Sequence, residues 1–582
     1  MTNLPVWNLK DFYTDIKSRK IREDLDKIDK QSSLFNKKFK NKLKSLSNTF
    51  LESSIKEYEK IEEKIQFIHS FSFLTYCTHQ IDSEKTKFFQ DIEEKLNRFQ
   101  INLIFFTLEI SNLSREKLDY LGKTKYRSWV NNLVKNKKYQ KSESVEKILM
   151  QKSITSSSSW IKFFDQFMAR LKFKFNGKKL NENEILDLMS SSNSSLRKKS
   201  ALSFGETLKA NSFYFGSIMN NISKDLDINK DIRGFKFSES SRHVSNQIDK
   251  SDVDSLVNTV KNNYKLTSHK YYKYKSKFFK TKKLNFWDRN APYPKTIERK
   301  ISWMEAKDIV LNSYYDFDEQ AGDIAKMFFD KKWIHASLIK GKMSGAFSHP
   351  TVPSCHPYIL LNFQGKIRDV MTLAHELGHG IHQYLANKNG LLVSDTPLTL
   401  AETASVFGEM LTFKFLLKSA SKKSEKIFLL RSKIEDMLNT VVRQVSFFDF
   451  ERRIHSLRVD GEIAVEDISK IWIKSQKESL GNHVNLDNDY EYFWSYIPHF
   501  IHSPFYVYAY AFGDCLVNTL YSRYEDKFPN FNAKYIKLLQ SGGSLHYKDS
   551  LKEFNLNPSR KDFWELGIKI IKNFIDELEK LS

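Results

Sequence analysis

Residues 375–379 read His375-Glu376-Leu377-Gly378-His379, and Glu402 follows further on in Ala401-Glu402-Thr403-Ala404-Ser405. Two histidines four positions apart lie one turn apart on one face of a helix. Both imidazoles can therefore reach a single metal ion. Glu376, beside the first of them, is placed to handle a proton of water held at that ion. A catalytic metal site needs a third protein ligand and an open fourth position, and Glu402 is the best candidate for the third. The bland alternative is a buried helix whose histidines are satisfied by neighbours. It would be costly, because His375, Glu376 and His379 would then be buried together without a metal.

These residues need elements to hold them. Gly365 precedes the segment, and Ile367 to Leu385 contains no proline. Ile367, Val370, Met371, Ala374, Leu377, Gly378, Ile381 and Leu385 repeat at steps of three and four, which predicts an amphipathic helix. Asp395-Thr396-Pro397 reads as a capping residue followed by proline at a first helical position, with a helix from Leu398 to Leu417. Glu402 and Glu409 share one face of that helix, two turns apart. Glu409 is then expected to hydrogen-bond a ligand histidine and fix its tautomer; the alternative is an ordinary solvated carboxylate. His382 reads as a structural or supporting histidine, since a fourth protein ligand would close the open position.

On these residues the chain resembles the zinc oligopeptidases of the oligoendopeptidase F and thimet oligopeptidase family. Thr372-Leu373-Ala374-His375-Glu376-Leu377-Gly378-His379-Gly380-Ile381-His382-Gln383 is similar to the family's zinc helix, and Glu402-Thr403-Ala404-Ser405 with Glu409 to its third-ligand segment. Gly345-Ala346-Phe347-Ser348 and Pro357-Tyr358-Ile359-Leu360-Leu361-Asn362-Phe363 resemble the segments ahead of that helix. Pro498-His499-Phe500 and Pro504-Phe505-Tyr506-Val507-Tyr508-Ala509-Tyr510-Ala511 resemble its C-terminal His/Tyr segment. Weaker echoes occur at Trp7-Asn8-Leu9 and Asp288-Arg289-Asn290-Ala291-Pro292. The bacterial oligoendopeptidase F branch fits best. One departure is Phe347, where the family pattern leads one to expect tyrosine; it puts a hydroxyl contact to substrate in doubt.

The resemblance implies a mainly α fold, with helical lobes around a deep channel and a small β-sheet beside the zinc helix, zincin-like. It implies one Zn2+ per chain held by His375, His379 and Glu402, with Glu376 as general base and Glu409 and His382 in support. It implies oxyanion donors among Tyr510, His499, Tyr506 and Tyr508, with Tyr510 and His499 favoured ahead of His502; the alternative for each tyrosine, and most of all for Tyr508, is aromatic core packing. Tyr358 to Phe363 is expected to be an edge strand to which substrate adds; the alternative is a plain structural strand. Tyr358, Leu360, Asn362, Gly345 and Tyr508 are the expected substrate contacts. The activity implied is endopeptidase cleavage of short unfolded oligopeptides. A metallocarboxypeptidase with the same pentad is the alternative within enzymes.

Bulk properties bound the rest. The chain has 582 residues, 40% hydrophobic and 14% aromatic, with only 19 glycines and 11 prolines; that excludes a disordered protein and predicts few long irregular stretches. Serine-rich runs at 153–159 and 190–195 mark loops or boundaries. An N-terminal helical region is expected over 1–190 and a catalytic region over 191–582. Cys77, Cys355 and Cys515 form no CxxC pair, which suits a reducing compartment. No secretory signal is visible, and the apolar run near Ile101–Ile110 is too short for a bilayer, so a cytoplasmic protein without a membrane partner is expected. A net charge of +23 raises a third reading, a basic nucleic-acid-binding protein with a vestigial pentad. Lys261 to Lys283, with its interleaved tyrosines, is its best stretch. A helix with an aromatic core stripe and a solvated lysine face explains that stretch better. Oligopeptides, not nucleic acid, are the expected partners; oligomeric state is open, from monomer to small homo-oligomer.

Overall fold

The structure, a computed structural model, describes residues 4–293, 300–396, 398–486 and 488–582. It is mainly α, as expected, with three small sheets among the described residues. Contacts gather into two units that interleave along the chain. The first comprises Met1–Lys138, Glu298–Ser419 and Arg523–Leu556; the second comprises Tyr139–Ile297, Ala420–Ser522 and Asn557–Ser582. A boundary near residue 190 divides the chain linearly, whereas each of these units draws on three separate segments.

In the first unit, α1 (Asn48–Cys77) is capped by Ser47, whose hydroxyl accepts from the Phe50 amide. It buries a stripe through Leu51, Ile55, Ile61, Ile65 and Ile68. α2 (Trp303–Phe317) and α3 (Glu319–Asp330) start at Ser302 and Asp318, whose side chains take the orphan amides of Glu305 and Ala321. The short strands β1 (Ile334–His335), β2 (Phe347–His349) and β3 (Tyr358–Leu360) form one sheet in the order β1-β3-β2. β3 pairs parallel with β1 and antiparallel with β2, with Ser348 opposite Ile359.

α4 (Ile367–Ala386) carries the pentad. Gly365 turns into it at φ +86°, a left-handed conformation suited to glycine. Asp369 accepts from the Gln364 and Lys366 amides at 2.7 and 3.0 Å and so caps its start. α5 (Leu398–Ser419) carries Glu402; of its expected cap, Pro397 lies outside the described residues. α4 and α5 meet backbone to backbone. A Cβ on Gly378 would overlap the Ala404 carbonyl, and one on Gly408 would overlap the Tyr314 hydroxyl. That hydroxyl donates to the Ala374 carbonyl at 2.8 Å and ties α2 to α4. α6 (Phe531–Ser541) adds Tyr535, which donates to Thr403 O at 2.7 Å.

Among its described residues the second unit is helical apart from the hairpin Phe173–Leu180 and the two-residue pairing of Leu284–Asn285 with Val484–Asn485. The serine-rich runs fall where helices hand over, at Ser153/Ser157 and Met189/Ser194. The lysine–tyrosine stretch is broken into Lys250–Asn262, a tight turn, and Ser268–Phe278. Tyr264, Tyr271, Tyr272 and Tyr274 are buried, so these rings pack inward and are not offered for base stacking. Lys261 and Lys275 pair with Asp449 and Glu435, at 2.8 and 2.6 Å. Among the described residues no helix is long and apolar enough to cross a membrane.

Candidate active site

Because α4 and α5 touch at glycine, their side chains converge on one point of the first unit. His375, His379 and Glu402 each offer a ligand atom within 4.8 Å of the others. His375 Nε2 and His379 Nε2 lie 3.5 and 3.6 Å from the same oxygen, Glu402 Oε2. Each of the three is held by a neighbour. His375 Nδ1 and Glu409 Oε1 are 2.6 Å apart, so Glu409 is a partner of the imidazole and no solvated bystander. The Ala401 backbone is a hydrogen-bond partner of the His379 ring. The Ser405 hydroxyl donates to Glu402 Oε2 at 2.6 Å.

Two imidazoles and a carboxylate, with both Nε2 atoms turned to one carboxylate oxygen, fit a tetrahedral divalent ion with one position left for solvent. The electrostatics agree. Burial alone would push His375 down, yet Glu409, by hydrogen bond and charge, with Glu402 and Glu376 behind it, pulls it up to about 9. His379 is pushed down to about 4, first by burial, with Glu402 opposing. Three carboxylates around two imidazoles make a corner that favours positive charge.

Glu376 is buried on the same helix. Burial raises its carboxyl to about 7; His375 and the Ser348 backbone pull the other way. A cleft of about 350 Å³ opens here, lined by Phe347, Ser348, His375, Glu376, His379 and His382 among others. His382 is buried, held neutral with a pKa of about 3 by its burial, and touches Thr396 Oγ1 at 3.5 Å.

Several expected substrate contacts stand elsewhere. β3 is the central strand of its sheet and not an edge, because β1 and β2 flank it on both sides. Tyr358 and Leu360 are fully buried, and the Tyr358 hydroxyl donates to Asn8 O at 2.8 Å. Neither side chain is presented to a peptide. Among the described residues β2 is the edge strand of this sheet beside α4, and its alternation is too short to announce itself in the sequence. Asn362 spends its amide on the carbonyls of Met343 and Gly345, at 3.1 and 3.0 Å. It shapes the Gly345 loop, where Gly345 has φ +81°. Lys342, unremarked in the sequence, braces the same loop by donating to the His335, Ser337 and Leu361 carbonyls.

The His/Tyr segment belongs to the second unit. Tyr510 is 39% exposed, and its hydroxyl lies 3.3 Å from His499 Nε2. Tyr506 packs edge-on against Tyr510 at 5.3 Å. Tyr508 is buried, with its hydroxyl bonded to His243 Nδ1 at 2.9 Å and Asn246 Nδ2 at 3.0 Å; it is a core residue and not a substrate contact. His502 faces Asp165 at 2.7 Å.

Comparison with known proteins places this corner in a peptidase. The pattern of Peptidase family M3 matches residues 187–570, more than half of the chain, and the chain belongs to that family. A second pattern, described as Oligopeptidase F, matches residues 109–173. Oligopeptidase PepF of Bacillus subtilis is 25% identical, over 94% of this chain and 82% of its own. An oligoendopeptidase F homolog of Borreliella burgdorferi is 27% identical, over 92% of both chains. Among solved structures, one from Chlamydophila abortus superposes with a TM-score of 0.88 at 24% identity, covering 99% of this chain and 98% of that one. The oligoendopeptidase-F of Enterococcus faecium superposes with a TM-score of 0.68 at 18% identity, covering 97% and 99%.

Proposed function

We propose that the chain is a zinc-dependent endopeptidase that hydrolyses internal bonds of short unfolded oligopeptides, with one zinc per chain. The observation that carries this reading is the meeting of His375, His379 and Glu402 at one point, with the Glu376 carboxyl on the same cleft. The three ligands would hold the ion, with Glu409 and Ser405 fixing two of them. Zinc bound there would polarise the scissile carbonyl and bring a water's pKa toward neutrality. Glu376 takes a proton from the attacking water at its carboxylate and returns it to the leaving amine.

Tyr510 with His499, and Tyr506 beside them, are the donors we assign to the developing oxyanion. β2 takes the role expected of Tyr358–Phe363: substrate backbone would pair along Phe347–His349, and main-chain pairing would tolerate many side chains. A reducing, cytoplasmic setting belongs to the same reading and is supported by three free cysteines.

An internally quenched peptide blocked at both ends tests the reading. Cleavage that stops with a zinc chelator and returns with zinc is expected. Cleavage of free-ended peptides alone would make the enzyme a carboxypeptidase. Cleavage indifferent to chelation would remove the metal from the reaction.

A further inference from the structure

The turn Ser503–Tyr506 joins the helix His499–His502 to the helix Tyr508–Glu525 in the second unit. The Tyr506 amide closes it by donating to Ser503 O at 3.0 Å. Inside it Phe505 sits at φ +61°, a left-handed conformation that a bulky residue adopts only where its surroundings over-determine it. Those surroundings can be named. The Phe505 amide donates to Glu451 Oε1 at 2.7 Å. Its buried ring lies 4.5 Å from the His455 ring. Arg242 Nε donates to Pro504 O at 3.2 Å.

Glu451 is the unusual member of this set. It is 2% exposed on the helix Gln444–Arg458, and its Oε2 has no hydrogen-bond partner among the described residues. Burial raises its carboxyl to about 8, so at neutral pH it is mostly a neutral acceptor, which is less costly to bury than a charge. Packing alone gives no reason for a carboxyl here, since an apolar side chain of similar size would fill the space without an unpaired oxygen. What an apolar side chain would lack is an acceptor for the Phe505 amide.

We infer that Glu451 is a positioning residue for the peptidase reaction: its carboxyl oxygen pins the Phe505 amide and thereby sets where the Tyr506 and Tyr510 hydroxyls stand. Tyr506 follows Phe505 directly, and Tyr510 packs on Tyr506 and reaches His499. Without the acceptor, the Phe505 N–H is left buried and unpaired. Rotation of the backbone out of the left-handed region relieves both that and the strain, and it turns Tyr506 with it. The inference rests on the donor role given to Tyr506 and Tyr510 above.

Glu451→Gln keeps an acceptor oxygen; Glu451→Leu removes it at similar volume. In the full chain loaded with zinc, Glu451→Gln is expected within about threefold of wild-type kcat, and Glu451→Leu at least about tenfold below it with KM little changed. Zinc content should match wild type in both. Hydrogen exchange read by mass spectrometry gives a measure independent of activity: peptides covering 503–510 should exchange about tenfold faster in Glu451→Leu and as wild type in Glu451→Gln. A wild-type chain that cleaves no peptide would end the peptidase reading, yet the exchange comparison would still decide the clamp. Equal kcat in wild type and Glu451→Leu, an equal loss in both variants, or unchanged exchange in Glu451→Leu would each overturn the inference. Should Glu451→Leu not fold, Glu451→Ser, whose hydroxyl stops short of the amide, takes its place with the same expectations.

Discussion

At the scale of single residues the site is a set of held side chains. Glu376 is hydrogen-bonded by the Ser348 backbone, and its burial tunes it upward. Glu376→Gln should therefore leave the three ligands, and the zinc content, in place while kcat falls by about 10²–10⁴-fold; single-turnover cleavage at the wild-type rate would remove the carboxyl from the proton transfers. Tyr510 is an exposed residue whose hydroxyl lies 3.3 Å from His499 Nε2, whereas Tyr508 spends its own inside. Tyr510→Phe should lower kcat by about 10²–10³-fold and change KM far less. A loss confined to KM would make Tyr510 a binding residue. Nothing in the spelling Tyr506-Val507-Tyr508-Ala509-Tyr510 separates these tyrosines. Which phenol finds a buried partner depends on His243 and Asn246, some 260 positions earlier.

At the scale of elements, the corner of His375, His379 and Glu402 exists because two helices approach closely enough for Glu402 to meet both imidazoles. Gly378 permits that approach: a Cβ there would overlap the Ala404 carbonyl, which is backbone and unable to swing aside. Gly378→Ala should cost about 1–3 kcal/mol of stability through overpacking. It should also weaken zinc binding, because a shift between α4 and α5 moves Glu402 against His375 and His379. Chelator competition measures the second effect, and wild-type zinc affinity in a destabilised Gly378→Ala chain would show that the corner tolerates the shift. The helices themselves were legible from three- and four-residue spacing. The strands were not, because two or three residues carry no readable alternation, and whether a strand is central or edge is a property of its neighbours.

At the scale of the whole molecule, buried histidines couple the fold to pH. His455 is buried in the second unit and pushed down to about 4, chiefly by burial. Its folded value lies below the ordinary value of about 6.5, so the unfolded chain takes up the proton first. The stability it contributes is complete above about pH 6.5 and drains away as pH falls toward 4. His455→Phe should accordingly lose stability less steeply than wild type between pH 6.5 and 4.5, by up to about 1.4 kcal/mol per pH unit. Urea unfolding of both proteins at a series of pH values reads this directly. Parallel curves would mean that His455 titrates alike in both states. Glu451, raised to about 8 from an ordinary carboxyl value of about 4.3, acts in the opposite sense between about pH 4.3 and 8, a window that overlaps that of His455; it is unchanged in both proteins, so its contribution cancels in their difference.

The meeting of His375, His379 and Glu376 on one helix, and the helices themselves, were written in the sequence, because helical periodicity places residues four apart on one face wherever the helix lies. The acidic residue that clamps His375 followed from the same rule applied to α5. Tertiary structure alone decided which strand has a free edge, which tyrosine is buried, and that Phe505 stands strained above a buried Glu451. Those are outcomes of contacts between segments far apart in the chain, and a one-dimensional pattern encodes the period of an element but not the identity of what packs against it.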